Sequence, residues 1–197
     1  MTSPTFTIAP SEFILGGQKS GKSRRAEMLA RQWLDADAAH SAVFIATAQP
    51  WDDEIQHRIT RHQADRAERV PGMRTVEEPL QLAQAIAQHS RANTLVVVDC
   101  LTLWLTNCLM PADDLVPNQP LALMDTAQAA PLLIAISQAP GPVVLVGNEI
   151  GLGVIPMGRE VRAFVDALGK LNQDVAAVCQ RVTLMAAGLP LTLKEIP

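Results

Sequence analysis

Residues 16–23 read GGQKSGKS and fit the pattern G-x-x-x-x-G-K-[ST]. Glycines at this spacing let backbone N–H groups curl around a polyphosphate, and a helix N-terminus just behind them adds positive potential. Lys22 is then placed to reach the outer phosphates, and Ser23 to hold Mg²⁺. A phosphate loop of this kind needs a second acid for the metal. The run LVVVD ends in Asp99, at the carboxyl end of an apolar segment, where α/β sheets hold their ligands. A helix-capping role for Asp99 is the alternative. A third stretch, DDEIQHRITRHQADR (52–66), opens with acids, as helices do. Ile55, Ile59 and His62 follow i, i+4, i+7, which sets His62 near a buried stripe. Arg58, His62 and Arg66 recur every four residues and share a face. Flanking cations disfavour imidazolium, so the ring stays neutral and nucleophilic, and the same cations suit an anionic phosphate. Such a histidine can attack an α-phosphate and form a phosphoramidate. On these residues alone an ordinary half-buried histidine is the better reading. His57 points about 140° away from His62, a poor metal pair. His40 and His89 are given no chemistry.

These groups need elements to position them. Strands are expected at Glu12–Leu15, Ala42–Thr47, Met73–Val76, Leu95–Asp99, Val143–Gly147, Val182–Met185 and Leu191–Leu193. Their apolar runs are continuous rather than alternating, which suits strands buried on both faces. Helices are expected at Ser23–Trp33, Asp52–Asp65, Leu80–His89, Leu101–Met110, Leu121–Gln138 and Arg159–Gln180. Pro131 should break or kink the fifth of these. The alternation predicts an α/β fold, a mostly parallel sheet with helices on both faces. The stretch 111–120 (PADDLVPNQP) reads as an exposed loop, and residues 1–197 as one domain.

The composition narrows the function. The chain has 197 residues and a formal net charge of −4, which argues against general nucleic-acid binding. Charged residues are 18% and apolar ones 48%, enough for a large aliphatic core. No apolar run is long enough to span a membrane, and the first ten residues do not read as a secretory signal. Cys100, Cys108 and Cys179 form no CxxC pair, so reduced thiols and a cytoplasmic setting are expected.

The combination resembles one family, the bifunctional adenosylcobinamide kinase / adenosylcobinamide-phosphate guanylyltransferases of cobalamin biosynthesis. The resemblance runs from about Phe13 to Lys194. It is carried by GGQKSGKS, by IATAQPWDDEIQHRITRHQADR (45–66), RTVEEP (74–79) and VVVDCLTLWLTN (96–107), then by NEIGLGVIP (148–156), REVRAFVDALGKLNQDVA (159–176) and AGLPLTLK (187–194). It implies a RecA-like P-loop fold assembled as a homotrimer. It implies ATP or GTP as co-substrate for phosphorylating adenosylcobinamide, and GTP as GMP donor to the resulting phosphate, with Mg²⁺. It also implies a guanylylated histidine at the position of His62. The nucleotide contacts would fall on Gly16, Gly17, Gln18, Lys19, Ser20, Gly21, Lys22 and Ser23, on Ala48, Gln49, Pro50 and Trp51, and on Gln63, Arg66, Glu77 and Asp99. Ser23 and Asp99 would be the metal ligands.

Glu149 and Arg162 stay open between the site and a contact between copies, and Asn172 and Gln173 between helix-surface amides and substrate contacts. Two positions depart from the family: Met73 stands where Trp is common, and Lys19 where Arg is common. A thioether cannot stack a base as an indole does, and Lys lacks the bidentate fork of Arg. Two other readings remain at this level. One is a small-molecule kinase with an inert His62. The other is a RecA-type nucleotide-dependent switch, against which the acid-free stretch CLTLWLT (100–106) weighs.

Overall fold

The structure is a computed structural model and describes residues 8–49, 53–109, 121–154 and 156–196, without the side chains of 53–55, 58–59 and 121–128. The expected loop at 111–120 and the nucleotide contacts at Pro50 and Trp51 lie outside the described residues, as do the side chains of Ile55, Arg58 and Ile59. The elements in chain order are β1 (Ser11–Gly16), α1 (Lys22–Ala36), β2 (Ser41–Ala46), α2 (Asp53–Arg69), β3 (Arg74–Glu77), α3 (Leu82–His89) and β4 (Thr94–Asp99). Then come α4 (Leu101–Leu109), α5 (Leu121–Ser137), β5 (Val143–Val146), α6 (Arg159–Val178), β6 (Arg181–Ala186) and β7 (Leu189–Glu195).

The strands form one sheet in the order β3-β2-β4-β5-β1-β6-β7. All pairings are parallel except β6 with β7. Side chains alternate across a strand, so each apolar run feeds two cores. Phe13, Leu15, Val43, Ile45, Val96, Val98, Val143 and Leu145 face one side, with Leu82, Trp104, Leu132 and Leu171 from α3–α6. Ile14, Phe44, Leu95, Val97, Val144 and Val146 face the other, with Ala26, Leu29 and Ala30 from α1. Two-sided burial is the reason these strands carry no polar alternation.

Of the two outcomes expected at Pro131, the break does not occur; the helix runs on to Ser137. A proline removes one amide from the ladder. Here α5 packs between α3 and α6, with Leu132 and Ile136 buried, and that burial offsets the lost bond. The C-terminal hairpin is longer than expected, and β7 spans seven residues.

Candidate functional site

The parallel strands deliver β1, β2, β4 and β5 to one edge of the sheet, and the chemistry-bearing residues gather there. Gly16 closes β1 with φ +153°, and a Cβ there would lie 2.5 Å from Met185 O and 2.6 Å from Ser20 Oγ. Gly21 stands before α1 with φ +102°, a left-handed turn that admits glycine cheaply. These two glycines set the loop's path. Lys22 is 7% exposed, and its Nζ donates to Gly17 O at 2.6 Å. Burial lowers its pKa, while the neighbouring Asp99 works in the opposite direction.

Asp99 ends β4 beside this loop. Burial raises its pKa, and a hydrogen bond with the Ser23 side chain, Lys22 and Arg66 all pull it back. The carboxylate thus faces Ser23 and Lys22. Cys100 instead serves the start of α4, where its Sγ accepts the Leu103 N–H at 3.5 Å. Burial pushes the Cys100 thiol up to about 12.

A cavity of about 450 Å³ opens over these groups. Gln18, Lys19, Lys22 and Ser23 line it from the P-loop, Asp99 from β4, and Ala48 and Gln49 from the segment after β2. His62, Gln63 and Arg66 line it from α2. Gly16, Gly17, Ser20 and Gly21 shape the loop without lining this cavity. Glu77 stands one residue behind the wall, where its Oε1 accepts Gln63 Nε2 at 3.1 Å.

The setting of His62 differs from the expectation. The histidine is exposed rather than half-buried beside a core stripe. Among the described side chains of this segment, the buried positions are Arg66 (7% exposed) and Val70, just past the helix. The Arg66 guanidinium lies 3.6 Å above the centroid of the Phe44 ring, and its Nη2 donates to Thr75 Oγ1 at 3.4 Å. One turn on, Arg69 Nη1 pairs with Glu27 at 2.9 Å and Nη2 with Asp65 at 3.3 Å. A cation on an aromatic face and an ion pair therefore seat the second half of α2. His62 stands one turn before these anchors and faces the cavity.

Glu27, Phe44, Ala46, Cys100, Leu103 and Asn148 also line the cavity and were not foreseen. Glu27 was detectable: it follows Ser23 by four residues, on the same side of the helix. Thr47 was also missed. Its Oγ1 donates to Cys100 O and accepts the Cys100 N–H, both at 2.8 Å, tying the ends of β2 and β4 together. Asn107 Nδ2 donates to Thr47 O at 2.7 Å and Pro79 O at 3.1 Å, and Trp104 Nε1 donates to Leu80 O. The polar residues of CLTLWLTN thereby brace the cavity rim.

A mostly parallel sheet with a phosphate loop after its first strand and an acid at the end of β4 defines a RecA-like P-loop protein. Solved structures agree on this. The match to the flagellar accessory protein FlaH from Methanocaldococcus jannaschii covers 98% of this chain and 81% of that one, at TM-score 0.52 and 11% identity. The match to a protein of Pyrococcus horikoshii OT3 covers 98% and 89%, at TM-score 0.54 and 9% identity. At such identities the likeness speaks for the fold alone.

Residues 12–193 match the family model of cobinamide kinase / cobinamide phosphate guanyltransferase, and the chain belongs to this family. It is 45% identical over 186 residues to the bifunctional adenosylcobalamin biosynthesis protein CobP of Pseudomonas aeruginosa, covering 94% of this chain and 98% of that one. It is 34% identical to CobU of Escherichia coli over 92% of this chain and 98% of that protein. The chain is thus a bifunctional enzyme of cobalamin biosynthesis, a kinase and guanylyltransferase acting on cobinamide and its phosphate. A switch or a kinase lacking the second activity is not favoured.

Proposed function

We propose that both reactions run at the P-loop cavity and that His62 carries GMP between GTP and cobinamide phosphate. One observation supports this above others: His62 lines the same cavity as Lys22, Ser23 and Asp99. In the kinase step the hydroxyl oxygen of the aminopropanol arm takes the γ-phosphoryl group of ATP or GTP. The hydroxyl proton is lost and the nucleoside diphosphate leaves. In the second reaction an imidazole nitrogen of His62 attacks the α-phosphorus of GTP. An N–P bond forms, the bond to the bridging oxygen breaks, and pyrophosphate takes the electron pair. An oxygen of cobinamide phosphate then attacks the same phosphorus, and the P–N pair returns to His62. The covalent intermediate splits one transfer into two in-line steps.

The chain's own charges serve these steps. Lys22 and the P-loop amides hold the β- and γ-phosphates, and Arg66 and Lys19 add positive potential at the rim. Gln63, held by Glu77, belongs to the nucleotide wall together with Ala48 and Gln49. The donor set suits Mg²⁺: the Ser23 hydroxyl and Asp99 carboxylate are hard oxygen ligands already joined by a hydrogen bond. Among the described residues no group of three or more His, Cys, Asp or Glu could hold a metal, so the ion would depend on substrate phosphates for the rest of its shell. Bound there, it would neutralise charge developing on the phosphoryl oxygens.

The same reading has the enzyme working as a homotrimer in the cytoplasm, with no nucleic-acid partner. Alternate residues Leu189, Leu191 and Leu193 present an exposed apolar face on edge strand β7, which suits contact between copies. The three cysteines are free and buried, in keeping with a reducing compartment. Among the described residues no helix is long and apolar enough to cross a membrane.

Incubation with Mg²⁺ and GTP carrying label in the α-phosphate tests the covalent step. The expected product is a protein-bound label that is acid-labile and base-stable, and absent from His62→Ala. Label that survives this substitution rejects the role of His62.

A further inference from the structure

The motif NEIGLGVIP lies outside the phosphate chemistry, yet it begins in the cavity wall. Asn148 lines the cavity, its N–H donates to Thr102 Oγ1 at 3.0 Å, and its carbonyl accepts Asn172 Nδ2 at 3.1 Å. The Glu149 N–H donates to Gly16 O at 3.2 Å, which ties the loop to the phosphate-binding turn. The Glu149 carboxylate folds back to accept the Gly151 N–H at 2.7 Å. At the far root, Arg162 Nη1 donates to Pro156 O at 3.0 Å and Met157 O at 2.5 Å. Glu149, Arg162 and Asn172 thus hold the shape of one loop.

The loop so held is apolar and faces water. Leu152 is 82% exposed, Val154 96% and Met157 94%, with Ile150 and Val161 also exposed. Exposing such a cluster is unfavourable, and fixing its shape with several hydrogen bonds makes sense only if something apolar lands on it. The substrates differ in where they fit. A cavity of about 450 Å³ is of a size for one nucleotide. A corrin macrocycle, broad and fringed with methyl groups and amide arms, has no room beside a bound nucleotide and must sit outside, with only its aminopropanol arm reaching in.

We propose that residues 148–154 and 156–158 form the platform for the corrin ring of cobinamide: its polar roots are fixed to the P-loop and α6, and the exposed Leu152, Val154 and Met157 cover the ring's methyl-bearing edge. This rests on the functional reading above and adds the second substrate's place to it. A platform held at both ends loses little conformational entropy when the ring arrives.

Titration with cobinamide, followed by the corrinoid's visible absorbance, tests the proposal on the full chain. The double variant Leu152→Asp/Val154→Asp is compared with Leu152→Met/Val154→Ile. The acidic pair is expected to weaken cobinamide binding by about tenfold or more, and the apolar pair to retain it. GTP binding by the same samples reports that the fold is intact. Retention of cobinamide affinity by a folded acidic variant overturns the platform alone. A change of oligomeric state on sedimentation, accompanying the loss, overturns it in favour of a contact between copies. Wild-type protein with no affinity for cobinamide overturns the platform and the functional reading together.

Discussion

The two walls of the cavity are built in different ways. The P-loop wall is continuous with the core: β1 is buried along its length, and Lys22 and Arg25 are buried at the head of α1. Beneath it Glu12 is enclosed by Arg25 at 2.8 Å, Arg181 at 3.4 Å and Thr183 at 2.9 Å. The α2 wall is a polar helix with an exposed His62, seated by Arg66 on Phe44 and Arg69 on Glu27. A triphosphate needs a rigid cradle whose amides already point inward. A nucleophile that meets GTP on one side and cobinamide phosphate on the other needs access, which a core position would deny. The two reactions therefore draw on the walls unequally, and substitutions should separate them.

Lys22→Ala should do the most damage, because both reactions need the phosphates held. A loss of about 10³-fold or more in each rate is expected, measured with labelled nucleotide. If only one rate falls, the reactions do not share the cradle. His62→Ala should be as severe for guanylyl transfer, about 10³-fold or more, yet leave phosphorylation of cobinamide within a few-fold. Equal loss of both would erase the distinction between the walls.

Glu27→Gln should be milder than either. It breaks the pair with Arg69, whose half-exposed side chain limits the cost to about 1 kcal/mol. The expected reading is a loss of several-fold in self-labelling from GTP, with a smaller effect on the kinase. Asp99→Asn sharpens the contrast through stability. Burial raises the pKa of Asp99, so the folded state favours its protonated form. Its charge therefore costs stability at neutral pH, and the cost fades as pH falls through the folded pKa. The variant should melt higher than the parent at pH 7, by a margin that shrinks as pH falls, yet lose Mg²⁺-dependent turnover.

The smallest effect belongs to His89, far from either wall. Burial first, then Arg74 and Arg91, lower its pKa. The fold thus favours neutral His89, and its stability contribution is full above the unfolded pKa of about 6.5 and is lost as pH drops below it. Replacement by Asn should flatten this slope in thermal melts between pH 5 and pH 7 by about a few tenths of a kcal/mol.

The two walls also differed in how well they could be read from sequence. The cradle announces itself, because glycines, a lysine and a serine at fixed spacing have one physical use, and apolar runs mark the strands around them. Asp99 followed from its place at a strand end. The α2 wall did not yield to periodicity. Ile55, Ile59 and His62 suggested a buried stripe, but His62 is exposed and, among the described side chains of the helix, burial falls on Arg66, which needs Phe44 from another strand to receive it. Nothing local reports such a partner. Glu27, four residues past Ser23 on the same side of α1, carries a spacing signal that the phosphate-loop pattern itself does not include. At Pro131, for a similar reason, the helix does not break: burial between neighbouring helices outweighs the lost backbone bond. The role proposed for His62 comes from family resemblance, since a helix histidine by itself carries no mark of covalent catalysis.

The central claim is that His62 holds GMP on its way from GTP to cobinamide phosphate. Enzyme labelled from α-labelled GTP, freed of nucleotide and chased with cobinamide phosphate in a rapid-quench flow, tests this directly. The account predicts that label leaves the protein and enters cobinamide-GDP in equal amounts, at least as fast as steady-state turnover. Label that stays on the protein while product forms from fresh GTP would contradict it.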